Sequence, residues 1–283
     1  MYQNKKFLIL PLLTTIVVFL SACSSTEGGG DRTSMCKERY TNAEKDFKDG
    51  KYGKVKEPLE EILSLCVGTG YMEQTQFLLA ESYFNLEEWL EARGEYGSFV
   101  LNFPSSPFIE TAEFRKAVSS FNMEFHIARD ETNTTLAMKD FERFASNYPD
   151  SPLLDSVAFY QAKLMERRAE KDYMTARLYF RMDEPQAAVI YLKEFLTLYP
   201  KSKRLPEVLF LLVESYTALD QFDPARNYLK IAKETIPASF EDRDETITDL
   251  EKDIAKAEEK FAKKLEKEKQ QKLIKKEEAE EAK

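Results

Sequence analysis

The chain contains very little of the side-chain chemistry that most enzymes use. It has one histidine, His126, and three cysteines among 283 residues. One imidazole cannot build a metal cluster of His and Cys, and a Ser/His/Asp triad would depend on this single ring. His126 lies in a polar stretch, which favours a surface residue over a catalytic one. Phosphate-binding glycine loops and the HExxH zinc motif are also absent from the sequence. We therefore expect a protein without catalytic activity, cofactor or metal.

Glycine, proline and net positive charge are scarce as well. The chain has 9 Gly and 11 Pro, which argues against an all-β protein rich in turns. Hydrophobic residues make up 43% of the sequence, which is enough to build a core. The formal net charge is -9, and because phosphate binding requires a basic surface, we expect no nucleic-acid partner.

The first 22 residues have the pattern of a secretory signal peptide. Lys5 and Lys6 precede an apolar run at residues 7–20, which is shorter than the ~20 apolar residues that a membrane-spanning helix needs. The small residues before Cys23 make this segment resemble a bacterial lipobox, in which the cysteine is lipidated and becomes the mature N-terminus. The alternative is a plain signal peptide followed by an incidental cysteine.

A lipid on Cys23 would tether the rest of the chain to a membrane surface outside the cytoplasm. Residues 23–35 are then expected to form a flexible lipidated linker. Ser24, rather than aspartate, follows the cysteine, which resembles the pattern of lipoproteins that are sent to the outer membrane. We expect a lipid-anchored protein of the outer membrane that faces the periplasm, with the covalent lipid as its one attached group.

Proline-containing segments recur along the chain and predict a helical repeat array. The prolines lie 45, 51 and 37 residues apart, which is typical of a solenoid with insertions. Twelve residues before each proline stands an alanine, and a large residue follows that alanine four positions later. A small residue followed by a large one lets two helices pack closely. The prolines are Pro104, Pro149, Pro200 and Pro237, and the alanines are Ala92, Ala137, Ala188 and Ala225.

A second set of positions identifies the kind of repeat. A small residue and a tyrosine precede three of these alanines by twelve and nine positions, at Ala80/Tyr83, Ala176/Tyr179 and Val213/Tyr216. The combined pattern resembles the tetratricopeptide repeat, a pair of antiparallel helices in about 34 residues. We predict an all-α fold, a tetratricopeptide-repeat-like solenoid of about five antiparallel helix pairs at residues 36–240.

Three segments depart from this repeat. Residues 122–135 are polar and predict an extended connection, whereas residues 153–182 lack glycine and proline and predict one long helix. Residues 241–283 are predicted to form a capping helix and a charged helical arm. Its apolar positions from Leu250 to Leu265 lie on one helix face, and the Lys- and Glu-rich remainder favours a solvated helix over a partner-binding one.

Cys36 and Cys66 are candidates for a disulfide. Cys36 opens the first helix of the first pair and Cys66 ends the second helix. In an antiparallel hairpin these ends are neighbours, as the short Cα separation of a disulfide requires. The alternative is two buried free thiols.

An aromatic stripe predicts a peptide-binding groove. Two positions seven residues apart, and therefore on one helix face, are aromatic at nine of ten places in the five first helices. The alternative is packing between first helices, where large rings also fill gaps. The pairs are Tyr40/Phe47, Phe77/Phe84, Phe114/Phe121, Tyr173/Phe180 and Phe210/Thr217. The candidate groove residues are Tyr40, Glu44, Phe47, Phe77, Glu81 and Phe84.

The lipobox, the five helical pairs and the Tyr-Pro-x-Ser junctions together resemble the BamD family of outer-membrane protein assembly factors. The resemblance extends from about Leu20 to Pro237, and its most similar segments lie at residues 128–151 and 176–200. It implies a non-enzymatic subunit of the machine that inserts β-barrel proteins, with Cys23 as the lipid site.

The resemblance also implies partners. The C-terminal repeats would hold the periplasmic part of a BamA-like barrel subunit, and the N-terminal repeats would receive terminal segments of unfolded client barrels. The arm after Leu250 and the Cys36/Cys66 pair depart from the family, so the arm receives no role by analogy. The alternative function is a tetratricopeptide-repeat lipoprotein that serves as a scaffold for cell-wall synthesis or pilus assembly.

Overall fold

The computed structural model describes residues 28–123 and 131–281, which contain eleven α-helices and no β-strand. The predicted all-α, tetratricopeptide-like fold class is confirmed. The helices are α1 Gly28–Lys48, α2 Tyr52–Leu65, α3 Met72–Asn85, α4 Trp89–Asn102, α5 Ile109–Met123, α6 Glu131–Asn147, α7 Leu154–Arg181, α8 Pro185–Leu198, α9 Leu205–Ala218, α10 Phe222–Thr235 and α11 Arg243–Glu281.

The helices form two compact units. Helices α1 to α5 make up the first unit, together with residues 146–148, whereas residues 131–145 and 149–281 make up the second. The predicted repeat domain at residues 36–240 is thus divided between two units.

The first unit is built from antiparallel helix pairs around an aromatic interior. Helix α1 packs on α2, α3 on α4, and α5 on α4. Ala80 and Ala92, two of the repeat alanines, are fully buried where α3 and α4 pack together, and Tyr96 and Phe99 of α4 fill the space beside them. Small residues at the crossing allow the two backbones to approach, so that the rings can interlock.

The second unit has an aliphatic interior centred on α9. This helix packs against α8, α10 and α11, and its residues Val208, Leu209, Leu212 and Val213 are buried. A helix with neighbours on several sides needs apolar residues around most of its circumference. In α6 and α7, stacked rings of Phe141 and Tyr160 lie 5.2 Å apart.

The repeat pattern of the sequence is visible in both units. All of the repeat alanines are fully buried, as close helix packing requires. Two equivalent tyrosine pairs stack, Tyr179 on Tyr191 and Tyr216 on Tyr228, with centroids 5.0 and 5.5 Å apart. The alanines are Ala80, Ala92, Ala137, Ala176, Ala188 and Ala225.

The turn between the helices of a pair requires a left-handed residue. Four positions after each repeat tyrosine, the chain has a positive φ of 59° at Glu87, 62° at Asp183 and 57° at Asp220. In the first pair the corresponding turn uses Gly50, with φ of 77°. Glycine tolerates this conformation, and aspartate adopts it more readily than most residues.

Serines after the repeat prolines tie one pair to the next. The Ser106 hydroxyl donates a hydrogen bond to Glu73 at 2.6 Å and accepts one from the Phe108 N–H at 3.0 Å. Ser202 makes the equivalent bonds, to Glu166 at 3.1 Å and from the Arg204 N–H at 3.1 Å. Each serine thus starts a new first helix and holds it against the preceding one.

Two predicted irregular segments are partly helical. Helix α1 begins at Gly28, within the predicted linker at residues 23–35, because the Arg32 guanidinium binds the free carbonyl oxygens of Leu65 and Val67 at the end of α2, at 2.7 and 3.1 Å. Helix α5 continues to Met123 and α6 begins at Glu131, so the predicted connection at 122–135 is wrong at both of its ends. Threonine and asparagine in this polar segment lower helix propensity only slightly.

The long helix and the C-terminal arm are continuous. Helix α7 has 28 residues and matches the long helix predicted at 153–182, and α11 has 39 residues. Leu250 and Ile254 of α11 are buried, whereas Leu265 is 40% exposed. The apolar stripe of α11 therefore contacts the rest of the unit over its first half.

Candidate functional site

The two predicted groove aromatics of α1 are half-buried against neighbouring rings. The Tyr40 ring centroid lies 5.7 Å from that of Tyr71, and the Phe47 centroid lies 5.0 Å from that of Tyr52. Burial, and to a smaller extent the charge of Glu44, raises the pKa of Tyr40. Each ring thus rests on the first unit while part of it faces solvent.

The two predicted groove aromatics of α3 have more contacts. The Phe77 ring stacks on Phe108 with centroids 4.8 Å apart and lies 5.3 Å from Phe99. The Phe84 ring lies 5.2 Å from Trp89, and the Arg115 guanidinium lies 4.4 Å from its centroid. Both phenylalanines are half-buried, and Phe84 carries a cation on its exposed side.

The two predicted groove acids differ in their surroundings. The side chain of Glu44 is 37% exposed and pairs with Lys48 of its own helix at 3.1 Å. Glu81 accepts a hydrogen bond from the Tyr96 hydroxyl at 2.5 Å and lies 3.5 Å from Arg115. Its side chain is only 14% exposed. Glu81 therefore links α3 to α4 and α5, which differs from the acid beside an open groove that we expected.

The buried tyrosine explains why Glu81 is held in this place. Tyr96 is fully buried, and a buried hydroxyl requires a hydrogen-bond partner. Burial first, and then the charge of Glu81, raises the pKa of Tyr96 far above its ordinary value. The sequence placed Tyr96 in the core, but the pairing with Glu81 follows from the antiparallel register of α3 and α4.

The six predicted groove residues therefore fall into two clusters within the first unit. The residues of α1 belong to a cluster with α2 and α3, and those of α3 belong to a cluster with α4 and α5. The buried atoms of these side chains pack between helices, as the alternative interpretation of the aromatic stripe predicted. Their exposed atoms remain accessible to a ligand. Elsewhere in the stripe, Phe121, Tyr173 and Phe210 are buried, so these three serve packing.

Cys36 and Cys66 are joined by a disulfide in the structure. Their Cα atoms are 5.9 Å apart, and both residues are fully buried. The bond connects α1 to the residue that follows α2, next to the carbonyl oxygens that Arg32 binds. It closes the first helix pair at its open end.

A second concave site lies in the second unit. It is a groove of about 1030 Å³ between the first helices α7 and α9 and the arm helix α11. Phe180 and Thr217, the second members of their stripe pairs, line it, and Phe261 of α11 faces it. The stripe thus identified part of this surface, but the contribution of α11 was not predicted.

The groove carries a pair of neighbouring acids. Glu214 is in contact with solvent but lies in a crowded concave position. Desolvation there, followed by the charge of Asp253, raises its pKa. At the other end of α9, Arg204 binds Glu170 at 2.5 and 3.0 Å and Glu207 at 2.8 Å, which raises the pKa of its guanidinium. This cluster holds α9 against α7.

Several sequence predictions fall on residues outside the described ranges. Cys23, Ser24 and His126 are among them, so their roles stay predictions. In the part of the chain that the structure describes, no helix is both long enough and apolar enough to cross a membrane.

The paired helices, the buried repeat alanines and the stacked repeat tyrosines define an all-helical repeat protein of the tetratricopeptide type. Residues 32–231 match the model of the YfiO family, described as outer membrane lipoprotein, and the chain belongs to that family.

Curated relatives agree with the resemblance to the BamD family, which is confirmed. The chain is 24% identical over 231 residues to the outer membrane protein assembly factor BamD of Rickettsia prowazekii, covering 82% of this chain and 92% of that protein. It is 21% identical over 250 residues to BamD of Haemophilus influenzae, covering 85% of this chain and 92% of that protein.

Similar solved structures include several repeat proteins. The tetratricopeptide domain of P58(IPK) is 13% identical with a TM-score of 0.37, covering 80% of this chain and 67% of that chain. The Thermus thermophilus protein TTC0263 is 16% identical with a TM-score of 0.33, covering 78% of this chain and 98% of that chain. Similarities this distant have no bearing on function.

Proposed function

We propose that this protein is a non-enzymatic subunit of a β-barrel assembly machinery at the outer membrane. It assists the folding and insertion of outer-membrane β-barrel proteins by binding other proteins. The family match over residues 32–231 carries the proposal, and relatives named as outer-membrane protein assembly factors, matched over most of their length, support it. A fold of stacked helix pairs suits protein binding.

The anchor of this subunit is a lipid on Cys23, and the chain faces the periplasm. One acyl chain would hold it only marginally, so stable attachment needs two or more. Replacing Cys23 with serine should release the protein from washed membranes and abolish the incorporation of labelled palmitate. A wild-type protein that washes off vesicles with a free Cys23 thiol would contradict the anchor.

The partners are a BamA-like barrel subunit and unfolded barrel clients. The C-terminal repeats hold the periplasmic part of the barrel subunit, and the first unit receives terminal segments of clients. The partly open rings of Tyr40, Phe47, Phe77 and Phe84 support client binding, because half-buried aromatics offer rigid apolar surface.

Copurification tests the assembly role. We expect a large β-barrel protein to be recovered with the full chain from detergent-solubilised membranes. Recovery of peptidoglycan enzymes or pilus components without a barrel protein would instead indicate a scaffold for another envelope complex.

Client contact is tested separately with a peptide that carries the last strand of a barrel protein. Phe84→Ala should weaken peptide binding about fivefold or more, because a ring contributing 1 kcal/mol or more is lost. Leu101→Ala is the matched control, since Leu101 is 82% exposed on α4 and lies outside the stripe. If the two variants lose peptide affinity in proportion to the decrease in their melting temperatures, Phe84 is a packing residue.

A further inference from the structure

The helix α11 is fixed to the second unit by one of its faces. Glu258 binds Arg226 of α10 through two hydrogen bonds of 2.8 and 3.0 Å, and Glu251 binds Lys233. On the same half of the helix, Ile254 is buried. The ion pairs and the apolar contact together hold α11 antiparallel to α10.

Another face of α11 presents lysines to the groove. Lys260, Lys264 and Lys267 follow at steps of four and three residues, so they lie on one helix face, and all three line the groove. Among the described residues, none of these three has an ion pair or a hydrogen-bond partner. Lys263, one residue away, pairs with Glu259 at 2.5 Å.

The rest of the groove combines apolar and acidic surface. Phe180, Leu250 and Phe261 supply its apolar part, and Glu214 of α9 and Asp253 of α11 lie close together at one end of it. No cation among the described residues is paired with these two acids. The groove therefore has an acidic pair at one end, a row of unpaired lysines of α11 toward the other end, and apolar side chains along its length.

We propose that this groove binds an amphipathic helix of a partner protein. A row of acidic side chains on that helix pairs with Lys260, Lys264 and Lys267, its apolar face contacts Phe180 and Phe261, and a basic residue near one of its ends lies beside Glu214 and Asp253. This inference goes beyond the proposed function, since helix binding by this groove does not depend on which protein supplies the helix.

The geometry favours a helix over other ligands. The three lysines span seven residues, or about 10 Å of helix, and acidic residues spaced at three and four positions match that interval on a second helix. A strand repeats its side chains on one face every ~7 Å instead. A phosphate-rich ligand such as a nucleic acid would meet the Glu214 and Asp253 carboxylates and be repelled.

A defined peptide tests the proposal. The probe is a fluorescent 18-residue helical peptide with leucines along one face and, beside them, lysines near one end and glutamates toward the other end. It is titrated against the detergent-solubilised full chain, and anisotropy is measured. We expect saturable binding, and we expect K260E/K264E/K267E to weaken it about tenfold or more, since three attractive pairs become repulsive.

The matched control changes the same net charge on the same helix outside the groove. K269E/K272E/K275E should leave the affinity within about twofold, and a peptide with lysines in place of its glutamates should bind K260E/K264E/K267E better than the original peptide does. If charge reversal lowers the melting temperature, the three Lys→Gln replacements are measured instead. Absence of binding, equal losses in both triple variants, or unchanged binding of a peptide with Gln in place of Glu would overturn the proposal.

Discussion

The first helix pair of the N-terminal unit and the last helix of the C-terminal unit each complete an array of helix pairs, but they do so by different means. The pair α1 and α2 is closed by the Cys36–Cys66 disulfide and by Arg32 on the carbonyl groups that end α2. The C-terminal unit is covered by α11, which buries Leu250 and Ile254. Terminal repeats need such closure because one face of them has no neighbouring repeat.

The two closures act on different states of the chain. A disulfide restricts the unfolded chain and stabilises through lost loop entropy, whereas α11 acts in the folded state through buried area and ion pairs with α10. The first closure should respond to reductant and the second to core substitutions and pH. The interiors differ as well, since rings fill the first unit and aliphatic side chains of α9 fill the second.

The largest effect should follow the loss of the disulfide. The 30-residue separation between the cysteines corresponds to roughly 3.5 kcal/mol in the chain-entropy model. We expect C36A/C66A to lower the stability of the first unit by about this amount, measured by urea denaturation monitored through the single tryptophan, Trp89. A variant as stable as the oxidised wild type would show that Arg32 and packing suffice to close this end.

A core substitution in α11 should be nearly as costly. Ile254 is 3% exposed, and Ile→Ala in a core costs about 2–5 kcal/mol. Ile254→Ala should therefore lower the melting temperature of the second unit without affecting the first. Ile274→Ala is the control on the same helix, since Ile274 is 53% exposed, and it should change stability by less than about 0.5 kcal/mol. Equal effects would contradict the capping role of α11.

Phe77 of the first unit provides an aromatic counterpart to the Ile254 substitution. Phe77 is half-buried and contacts Phe99 and Phe108, so Phe77→Ala should cost about 2 kcal/mol, less than the 3–5 kcal/mol of a fully buried ring. Phe77→Leu should recover about half of this loss in the same denaturation measurement, because it keeps apolar volume but removes the ring contacts. A loss below about 0.5 kcal/mol would show that the ring contacts of Phe77 do not stabilise the first unit.

Local periodicity explains how much of this fold could be predicted. Ala80 and Ala188 are small because two helices meet there, and that need is visible within a single stretch of sequence. The Cys36/Cys66 pairing also follows from local reasoning, since a short antiparallel hairpin determines which ends meet. The long helix α7 is marked by the absence of glycine and proline.

What was not predicted depends on partners far apart in sequence. Glu81 looked like an acid on an open face, but the buried Tyr96 hydroxyl and Arg115 of a third helix engage it. The start of α1 within the predicted linker depends on Arg32 finding carbonyl oxygens 33 and 35 residues away. The apolar stripe from Leu250 to Leu265 predicted a capping helix, but it did not predict that lysines of this helix would line a groove with α7 and α9.

The smallest effect concerns pH at the C-terminal closure. The Glu214 pKa is raised above its ordinary value of 4.5, mainly by desolvation and then by Asp253. The folded state therefore binds more protons than the unfolded state above pH 4.5, and this group lowers stability as pH rises through its folded pKa. Glu214→Gln should be more stable than wild type at pH 7 by a few tenths of a kcal/mol, since solvent screens the site.

This advantage should vanish below about pH 4, where Glu214 is protonated in both states. Glu259→Gln is the matched control of opposite sign. The hydrogen bond from Lys263 lowers the Glu259 pKa, so its contribution is present at neutral pH and is lost as pH falls through its folded pKa. Glu259→Gln should thus lose stability at pH 7, and thermal melts from pH 3 to 8 compare the two variants. If both shift in the same direction at pH 7, like-charge repulsion between Glu214 and Asp253 does not act in the groove.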